Sequence, residues 1–526
     1  MTAIPHTPAP SGAWRPFAQT AFTVLWVATV VSNIGTWMND VGAGWLMTNL
    51  APSPQVVAMV QAATTLPVFL FAILAGAVAD IVDRRRLLLV VNVFLSVVAF
   101  AVAAVVQAGA MTPVLLLIFT FLLGSGAAFI APAWQAIVPK LVPREDLTAA
   151  VALNSMGINI SRAIGPAVAG MLIAAFGLVW PFALNALSTL VVIAALIWWK
   201  PAAEPARALP AEHVIGGMIA GLRYAAHTKP LRLVLVRAAG FFLFASAFWA
   251  MLPLVARNVL GGGAGLYGAL LAAVGVGAVA GAVQLPRLRA KLGPDRTVIA
   301  GTVGTAVALV TLAVVPGHLP ALLAGLVAGA SWIAVLSSLN VAAQAALPDW
   351  VRARGLAIYL TVFSGAMSVG SLGWGTVATH ASITTALLVA AAGVLLAIPA
   401  TLWARLSGLR KDHTPAHSWP QPDATPANDA PTTIWIAYDV PVDHHAHFVT
   451  LMQEQKASRR AHGAYGWVLR QDTATPTRLY ESWHEASWLS HLRHHDRVSV
   501  SEQALQDRIR ALLTAAPQIH HTIGKA

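Results

Sequence analysis

The sequence contains no cysteine and few charged residues. Asp, Glu, Lys and Arg together make up 10% of its 526 residues, whereas 57% are hydrophobic. Soluble globular domains carry about 25% charged residues, so most of the surface of this chain faces something other than water. The absence of cysteine excludes a disulfide framework. A G-x-x-x-x-G-K-[ST] phosphate-binding loop is also missing, which argues against ATP-driven transport by this chain alone.

Acidic residues are scarce in the first part of the chain. Residues 1–411 carry a formal charge of +14 and residues 412–526 carry −2, which gives +12 in total. The basic excess lies in short gaps between apolar runs, which is the distribution typical of membrane topology. This location argues against nucleic acid as a partner and favours membrane lipid.

Twelve apolar runs are long enough to cross a bilayer as helices, which takes at least ~18 residues. Open sheet edges are not tolerated in lipid, so strands cannot explain runs of this length. The sequence therefore predicts an all-α membrane protein with twelve transmembrane helices. The runs are 19–48, 55–79, 87–108, 113–138, 147–176, 180–199, 238–256, 265–285, 297–316, 320–346, 355–378 and 383–404.

The basic residues predict the orientation of these helices. Of the Lys and Arg in residues 1–411, 21 lie in gaps on one side, Arg257 alone lies on the other side, and Arg162 lies within a run. Lys and Arg concentrate in cytoplasmic loops, so we predict a multi-pass protein of the cell (inner) membrane with both termini in the cytoplasm. The first residues lack a basic region followed by an apolar core, and we expect an uncleaved first helix.

The longest internal gap divides the runs into six and six. It contains EHVIGGMIAGLRYAAH at 212–227, which has the pattern of an amphipathic cytoplasmic helix. The motif Q-A-x-x-P occurs at Gln135 and again at Gln344, near the fourth run of each half, which favours a parallel repeat. We predict an N-terminal half, a cytoplasmic central loop, a C-terminal half, a Pro-rich linker and a soluble tail domain at 1–199, 200–237, 238–407, 408–432 and 433–526.

The tail domain has the pattern of a small α+β unit. Strands are predicted at 433–440, 464–471, 478–484 and 517–523. Helices are predicted at 442–460, 485–495 and 499–513. The order β-α-β-β-α-β is typical of a ferredoxin-like domain, and we expect dimerisation through this tail.

The gap after the second run holds a compact charge cluster, GAVADIVDRRRLLL, at 76–89. It resembles G-x-L-A-D-R-x-G-R-[KR], the loop signature of the major facilitator superfamily, and matches at Gly76, Ala79, Asp80, Arg84 and Arg85. It departs from the signature at Ile81 and Asp83. The resemblance implies a conformational latch in which Asp80 lies at the N-terminal end of a helix of the other half and Arg84 holds it there. The alternative is a hydrated loop.

The fifth run contains SRAIGPAVAG at 161–170. It is similar to the exporter motif G-x-x-x-G-P-x-x-G-G of the same superfamily and matches at Gly165, Pro166 and Gly170. Small residues let helices pack backbone to backbone. The resemblance implies that helix 5 faces helix 8, whose run carries Gly265, Gly268, Gly275, Gly277 and Gly281. Similar glycines occur in the eleventh run, and frequent glycine in membrane helices is the alternative explanation.

Further segments resemble the enterobactin-exporter-like branch, the transmembrane secretion effectors, with a tail similar to antibiotic-biosynthesis-monooxygenase-like domains. These segments are SNIGTWMNDVGAGWLM, ALNSMGINISRAIGPAVAG and DWVRARGLAIYL, at 32–47, 152–170 and 349–360. The resemblance implies export of a small molecule in exchange for protons.

Two ionisable residues, Asp40 and Arg162, lie well inside apolar runs. Such residues are costly in lipid and usually functional, so we predict that they bind substrate and couple its movement to protons. Asn33, Asn154 and Asn159 are polar neighbours in the same two runs. The alternatives are interhelical hydrogen bonding for the amides and an interfacial position for Asp40.

The tail segment HLRHH places His491, His494 and His495 on one helix face. No cysteine or carboxylate completes a familiar metal motif, so we expect surface or interface histidines and no metal. We also expect no catalytic residues and no cofactor, and therefore no enzyme. The sequence predicts a secondary transporter that exports a siderophore or drug against protons, with a regulatory or oligomerising tail. A membrane-tethered enzyme and a non-transporting sensor remain as alternatives.

Overall fold

The computed structural model describes residues 13–51, 53–200, 214–348, 350–406 and 430–523. Most of the predicted Pro-rich linker and the first part of the predicted central loop lie outside these residues. The chain forms two compact units. The first comprises Met1–Ala211, Leu235–Asn340 and Tyr359–Arg405, and the second comprises Glu212–Val234, Val341–Ile358 and Leu406–Ala526.

Ten helices in the described part of the chain are long and apolar enough to cross a membrane. The helices before the tail are α1 (Thr20–Leu50), α2 (Pro54–Ile81), α3 (Arg84–Gln107), α4 (Pro113–Leu141), α5 (Leu147–Phe176), α6 (Val179–Trp198), α7 (Val214–His227), α8 (Lys229–Leu254), α9 (Ala264–Val314), α10 (His318–Ala345), α11 (Arg352–His380) and α12 (Ile383–Thr401). The amphipathic helix predicted in the central loop is α7.

Helix α9 covers two of the predicted apolar runs. Its 51 residues are interrupted at Gly293, where φ is +74° and ψ is +172°. Gly tolerates this left-handed backbone, and Pro294 after it is suited to begin a new helix. The apolar stretch of α12, Ile383–Pro399, is shorter than the ten spans.

Local chemistry sets the ends of several helices. Pro54 and Pro113 stand in the first turns of α2 and α4, where proline removes no helical hydrogen bond. The Thr112 hydroxyl accepts a hydrogen bond from the Leu115 N–H at 3.2 Å at the start of α4. These residues begin new helices directly after the preceding spans end, which keeps the connections short.

Side chains join helices of the first unit through backbone carbonyls. The Trp26 indole N–H donates to the Leu153 carbonyl at 2.9 Å, and the Ser161 hydroxyl donates to the Val30 carbonyl at 3.1 Å. Both bonds join α1 to α5. Apolar side chains of α1, α3, α4, α5 and α6 form a core near the N-terminal turns of α1 and α5. It includes Leu25, Leu88, Ile137, Ala150 and Leu196.

The tail forms a four-stranded antiparallel sheet with the order β2-β3-β1-β4. Its elements are β1 (Thr432–Asp439), α13 (His445–His462), β2 (Tyr465–Gln471), β3 (Arg478–Glu485), α14 (Trp488–Asp496), α15 (Val500–Arg510) and β4 (Gln518–Ile523). Alternate residues of β1, Ile434 and Ile436, pack with Phe448 of α13 and Leu505 of α15. The helices therefore cover one face of the sheet.

Candidate functional site

One face of α1 carries polar and aromatic side chains at intervals of three or four residues. Asn33, Trp37, Asp40 and Gly44 recur at helical spacing, so they share this face. A methyl group at Gly44 would lie 2.8 Å from the Tyr267 hydroxyl of α9, and the Tyr267 ring stacks on Trp45 with centroids 6.2 Å apart. The missing side chain at Gly44 thus brings a phenol close to the helix turn that follows Asp40.

Arg162 lies on α5 beside the same face of α1. Its guanidinium carbon is 5.6 Å from the centroid of the Trp37 ring, which is within cation–π range. Its Nε atom is buried and makes no hydrogen bond. Trp37 lies one turn before Asp40 on α1, so Arg162 contacts the face of α1 that also carries Asp40. Among the described residues no ion pair joins Arg162 to Asp40.

The predicted amide residues have different surroundings. The Asn154 side-chain oxygen accepts a hydrogen bond from the Trp134 indole at 3.0 Å. Asn159 donates to the Ser155 carbonyl one turn earlier at 2.9 Å, and Asn33 is half-buried on α1. The bonds of Asn154 and Asn159 have a local structural purpose, and a role of the three amides in substrate binding stays a prediction.

The exporter-like motif of α5 lies where two helices touch it closely. A methyl group at Gly165 would come within 2.5 Å of the Trp37 side chain and 3.0 Å of the Ile34 carbonyl of α1. One at Gly170 would lie 2.9 Å from the Gly268 Cα of α9. Conversely, one at Gly268 would lie 2.7 Å from both the Gly170 Cα and the Pro166 carbonyl. Only glycine permits this backbone contact between α5 and α9.

The other glycines of α9 do not all serve that contact. A methyl group at Gly275 would lie 2.8 Å from the Arg162 carbonyl on α5, as expected for a residue seven positions after Gly268 on one helix face. Gly277 and Gly281 instead pack against α10, and Gly265 has no neighbour within 4 Å. The expectation that all five glycines form one surface for helix 5 is therefore wrong, because their spacing turns them toward different neighbours.

Helix α11 makes an analogous contact with α2. Methyl groups at Gly365 and Gly375 would lie 2.7 Å from the Phe69 ring and 2.6 Å from the Ala58 side chain. The hydroxyls of Thr65 on α2 and Ser368 on α11 are 2.7 Å apart. Two pairs of helices, α5 with α9 and α2 with α11, thus join the first six runs to the last six.

The charge cluster after α2 contributes to the ends of neighbouring helices. Arg85 donates to the carbonyls of Leu196 and Ile197, at 2.7 and 2.9 Å, in the last turn of α6. Asp83, a departure from the superfamily signature, accepts from the Arg86 N–H at 2.8 Å and caps α3. Gly76 is half-buried in α2. The Asp80 side chain lies outside the described part of the structure, so its latch role, and that of Arg84, stays a prediction.

Arg257 joins the segment after α8 to the C-terminal end of α1. It lies in the π-helical turn Val255–Val259 after α8. Its guanidinium donates to the Thr48 hydroxyl at 3.0 Å and to the Asn49 side chain, both in the last turn of α1. Sequence reasoning did not assign Arg257 a role, although its isolation among the apolar runs was a signal.

Aromatic rings from α8, α10 and α11 form a cluster that sequence reasoning also missed. Phe242 contacts Phe363 and Trp332 edge-to-face, with centroids 4.5 and 5.2 Å apart. Trp249 meets Trp332 at 5.3 Å. Phe242 and Phe363 are 121 positions apart in the sequence, and no local sequence pattern predicts their contact.

In the second unit, the tail packs on the link between α10 and α11. The His462 ring stacks on the Trp350 ring with centroids 5.5 Å apart, and the Arg497 guanidinium carbon lies 4.2 Å from the Trp350 centroid. Arg223 of α7 donates to the Gly463 carbonyl at 3.2 Å. The tail therefore holds Trp350 between a helix end and an arginine.

Two of the histidines expected at the tail surface are buried. His491 and His494 are 2% and 3% exposed, because α14 turns this face toward the sheet. The His494 Nδ1 lies 2.9 Å from the Glu485 carboxylate at the end of β3. A surface position, one of the two expected for these histidines, is therefore wrong for His491 and His494, and the structure places a carboxylate beside them. The sequence shows the helical spacing of His491, His494 and His495, but it does not show that the end of β3 packs against them.

Comparison with known proteins gives relatives along most of the chain. The family model described as "Transmembrane secretion effector" matches residues 11–526. The Staphyloferrin A transporter of Staphylococcus aureus is 24% identical over 49% of this chain and 65% of its own length. The enterobactin exporter EntS of Citrobacter koseri is 25% identical over 61% of this chain and 75% of its own length.

Solved transporter structures share the fold of the helical part. A bacterial homologue of the human lysosomal transporter Spinster aligns with a TM-score of 0.54 and 15% identity, over 75% of this chain and 99% of that chain. A POT family transporter aligns with a TM-score of 0.61 and 13% identity, over 73% and 96%. The branch predicted from the segments at 32–47, 152–170 and 349–360 is thus confirmed, and this chain belongs to the transmembrane secretion effector family of the major facilitator superfamily.

Proposed function

We propose that the protein exports a siderophore-like amphipathic molecule across the cell membrane by alternating access, in exchange for protons. The observation that carries the proposal is membership of a family in which relatives are named as transporters of staphyloferrin A and enterobactin. The charged side chains of Asp40 on α1 and Arg162 on α5 are proposed to supply the chemistry that such exchange needs, with Arg162 over the Trp37 ring and its Nε without a hydrogen-bond partner.

We propose twelve membrane spans, arranged as two halves of six with both termini in the cytoplasm. The interruption at Gly293 divides α9 into two helices that correspond to the eighth and ninth apolar runs. The short apolar stretch of α12 is the twelfth span, and tilt or local thinning of the bilayer accommodates its length. In this orientation the Arg257 contacts lie at the outer face and the charge cluster after α2 lies at the inner face.

The two halves are proposed to contact each other at the outer face in one state and at the inner face in the other. At the outer face, Arg257 and the last turn of α1 hold the halves together, and cations are favoured at a helix C-terminus. At the inner face, the contacts implied for Asp80 would form when the cytoplasmic side closes, and they would then hold the two halves together. Each set of contacts stabilises one end state, so breaking either set shifts the population toward the other state.

Variants of these two residues are expected to shift the population in opposite directions. Arg257→Ala removes outer contacts and favours the outward-open state, whereas Asp80→Asn removes the inner latch and favours the inward-open state. Both variants should insert normally and transport more slowly. Spin labels on the exposed positions of Arg86→Cys and Lys291→Cys report the opening of the cytoplasmic side, since the chain has no other cysteine. The distance should shorten with Arg257→Ala and lengthen with Asp80→Asn.

An unchanged distance distribution in the Asp80→Asn protein, together with normal transport, would contradict the latch. The charge cluster after α2 would then be only a hydrated loop. Shifts of the same sign in both variants would contradict the assignment of the two faces.

Substrate recognition is proposed to combine charge with aromatic packing. Arg162 offers a permanent cation that can bind acidic or polar groups of a siderophore. Of the aromatic cluster, the half-buried rings of Trp249 and Phe363 are proposed to give apolar and edge-on contacts to the rest of an amphipathic molecule, and the buried Phe242 and Trp332 rings support them. Membrane lipid, the small-molecule substrate and protons are the proposed partners.

The tail is proposed to be a ferredoxin-like domain that regulates transport or supports dimerisation. Its strand order and its β-α-β-β-α-β chain order support this fold, with α14 and α15 in place of the second helix. Trp435, on the sheet face away from α13 and α15, is 39% exposed and suited to pair with a second copy. The contact of His462 with Trp350 supports regulation through the α10–α11 link.

Truncation after Leu406 separates the proposed exporter from the two alternatives. The shortened chain retains α1 to α12 and is expected to export substrate above the level of protein-free vesicles, at an altered rate because the contact with Trp350 is lost. A membrane-tethered enzyme would lose its activity with the tail. A sensor would retain binding without transport, and that result would contradict the proposed function.

A further inference from the structure

Three histidines of the tail converge from two elements. His491 and His495 lie one turn apart on α14, and His521 lies on the edge strand β4. One ring nitrogen of each lies within 4.8 Å of the others. The His491 ring centroid is 4.7 Å from that of His495 and 4.8 Å from that of His521. His491 is buried, His495 is half-buried and His521 is exposed, so the cluster opens to the surface at β4.

The His491 side chain has no hydrogen-bond partner, although it is almost completely buried. Both ring nitrogens are inaccessible to solvent and unsatisfied, and the residue is 2% exposed. A buried polar group without a partner costs about 1–3 kcal/mol, and native proteins leave few such groups. A ligand that His491 binds would remove this cost.

The Glu485 carboxylate lies next to the Nδ1 side of the His491 ring. Glu485 Oε1 accepts hydrogen bonds from His494 at 2.9 Å and from the Trp483 indole at 3.0 Å. The same oxygen lies 3.4 Å from His491 Nδ1, in a geometry that makes no hydrogen bond. Metal-ligating histidines usually direct their second nitrogen to a carboxylate, which fixes the ring and raises its basicity. A small rotation of His491 would complete this arrangement and leave Nε2 for a metal.

We propose that His491, His495 and His521 bind a divalent transition-metal ion, with the remaining position open to water or a further ligand. Imidazole suits zinc, copper and nickel, and three histidines with an open position are a known zinc arrangement. Metal–nitrogen bonds of about 2.0–2.1 Å in tetrahedral geometry require nitrogens roughly 3.3 Å apart, so side-chain rotations suffice to close the cluster.

A second group, Glu485 with His491 and His494, also lies within metal-binding distance. It is entirely buried, and its Glu485–His494 hydrogen bond is already formed. The open cluster that includes His521 is therefore the assigned site, and Glu485 acts as a positioning residue for it.

The test is titration of the full-length protein in detergent with cobalt(II), followed by displacement with zinc. The protein is purified without a histidine tag and treated with a chelator that is then removed. One cobalt per chain is expected, with the visible absorption typical of a four- or five-coordinate ion, and one zinc equivalent should abolish it. His521→Ala changes an exposed residue and should weaken binding by more than the roughly 10- to 100-fold expected from loss of a residue that only orients a ligand.

His520→Ala is the matched control, because His520 neighbours His521 on β4 but points to the opposite face of the sheet. It should bind cobalt as the unmodified protein does. His495→Ala should lose binding as His521→Ala does. Absence of saturable binding, or equal affinity in the His521→Ala, His495→Ala and His520→Ala proteins, would overturn the proposal.

Discussion

Gly268→Val is expected to abolish transport, with a loss of more than about tenfold. A methyl group at this position would lie 2.7 Å from two backbone atoms of α5, the Gly170 Cα and the Pro166 carbonyl. Neither atom belongs to a flexible side chain, so the helices must separate. Overpacking of a tight interface costs about 1–3 kcal/mol, and 1.4 kcal/mol is a factor of ten in an equilibrium. Gly170→Val should have the same effect from the other side.

Gly265→Val is the matched control, since nothing lies within 4 Å of a methyl group there and it stands one turn before Gly268 on α9. It introduces the same side chain on the same helix without a close neighbour, and we expect it to transport nearly normally. Efflux from cells with equal amounts of each protein in the membrane measures the difference. Equal activity of the Gly265→Val and Gly268→Val proteins would show that close contact of α5 with α9 is not required.

Asp40→Asn is expected to remove proton-driven export, on the order of a tenfold to hundredfold loss for a coupling energy of typical size. The amide has nearly the same shape as the carboxyl group but cannot take up and release a proton. Substrate binding should persist, because Arg162 and Trp37 are unchanged. Binding and transport therefore separate in this variant. An Asp40→Asn protein with normal rate and unchanged pH dependence would place the coupling site elsewhere and make Asp40 an interfacial residue.

Arg162→Ala is expected to weaken substrate binding as well as transport, because it removes the cation beside Trp37. Arg162→Lys keeps the charge but loses the planar group that stacks on the indole, so its binding should be intermediate. This series distinguishes the charge from the stacking. If both variants bind and transport normally, substrate recognition does not involve α5 at this position.

The membrane part could be predicted from the sequence because lipid imposes a simple rule. Apolar runs in lipid must be helical, and most of the predicted runs correspond to helices of the described residues that are long and apolar enough to cross a membrane. The interruption within α9 was also predictable as a gap, because Gly293 and Pro294 stand between two apolar runs. The family motif predicted that helix 5 faces helix 8, but not which glycines meet. Which of Gly265, Gly268, Gly277 and Gly281 contact α5 depends on the rotation of α9 about its axis, which composition does not determine.

Contacts between distant segments account for what the sequence could not predict. Arg257 was visible as the lone basic residue on one side, but its partner at the end of α1 depends on how α8 meets that helix. The burial of His491 depends on the approach of α14 to β3 and β4, which brings Glu485 and His521 to the same place. Such approaches are set by tertiary packing and leave no local pattern.

The most direct test of the central claim is substrate accumulation in vesicles that contain the purified protein with its cytoplasmic face outward. An acidic lumen should drive enterobactin or staphyloferrin A into the vesicles, and a protonophore should stop the accumulation. Vesicles with the Asp40→Asn protein should accumulate the substrate at least about tenfold more slowly under the same gradient. Failure of the unmodified protein to accumulate either molecule, or accumulation that is insensitive to the proton gradient, would contradict proton-coupled export of a siderophore-like molecule.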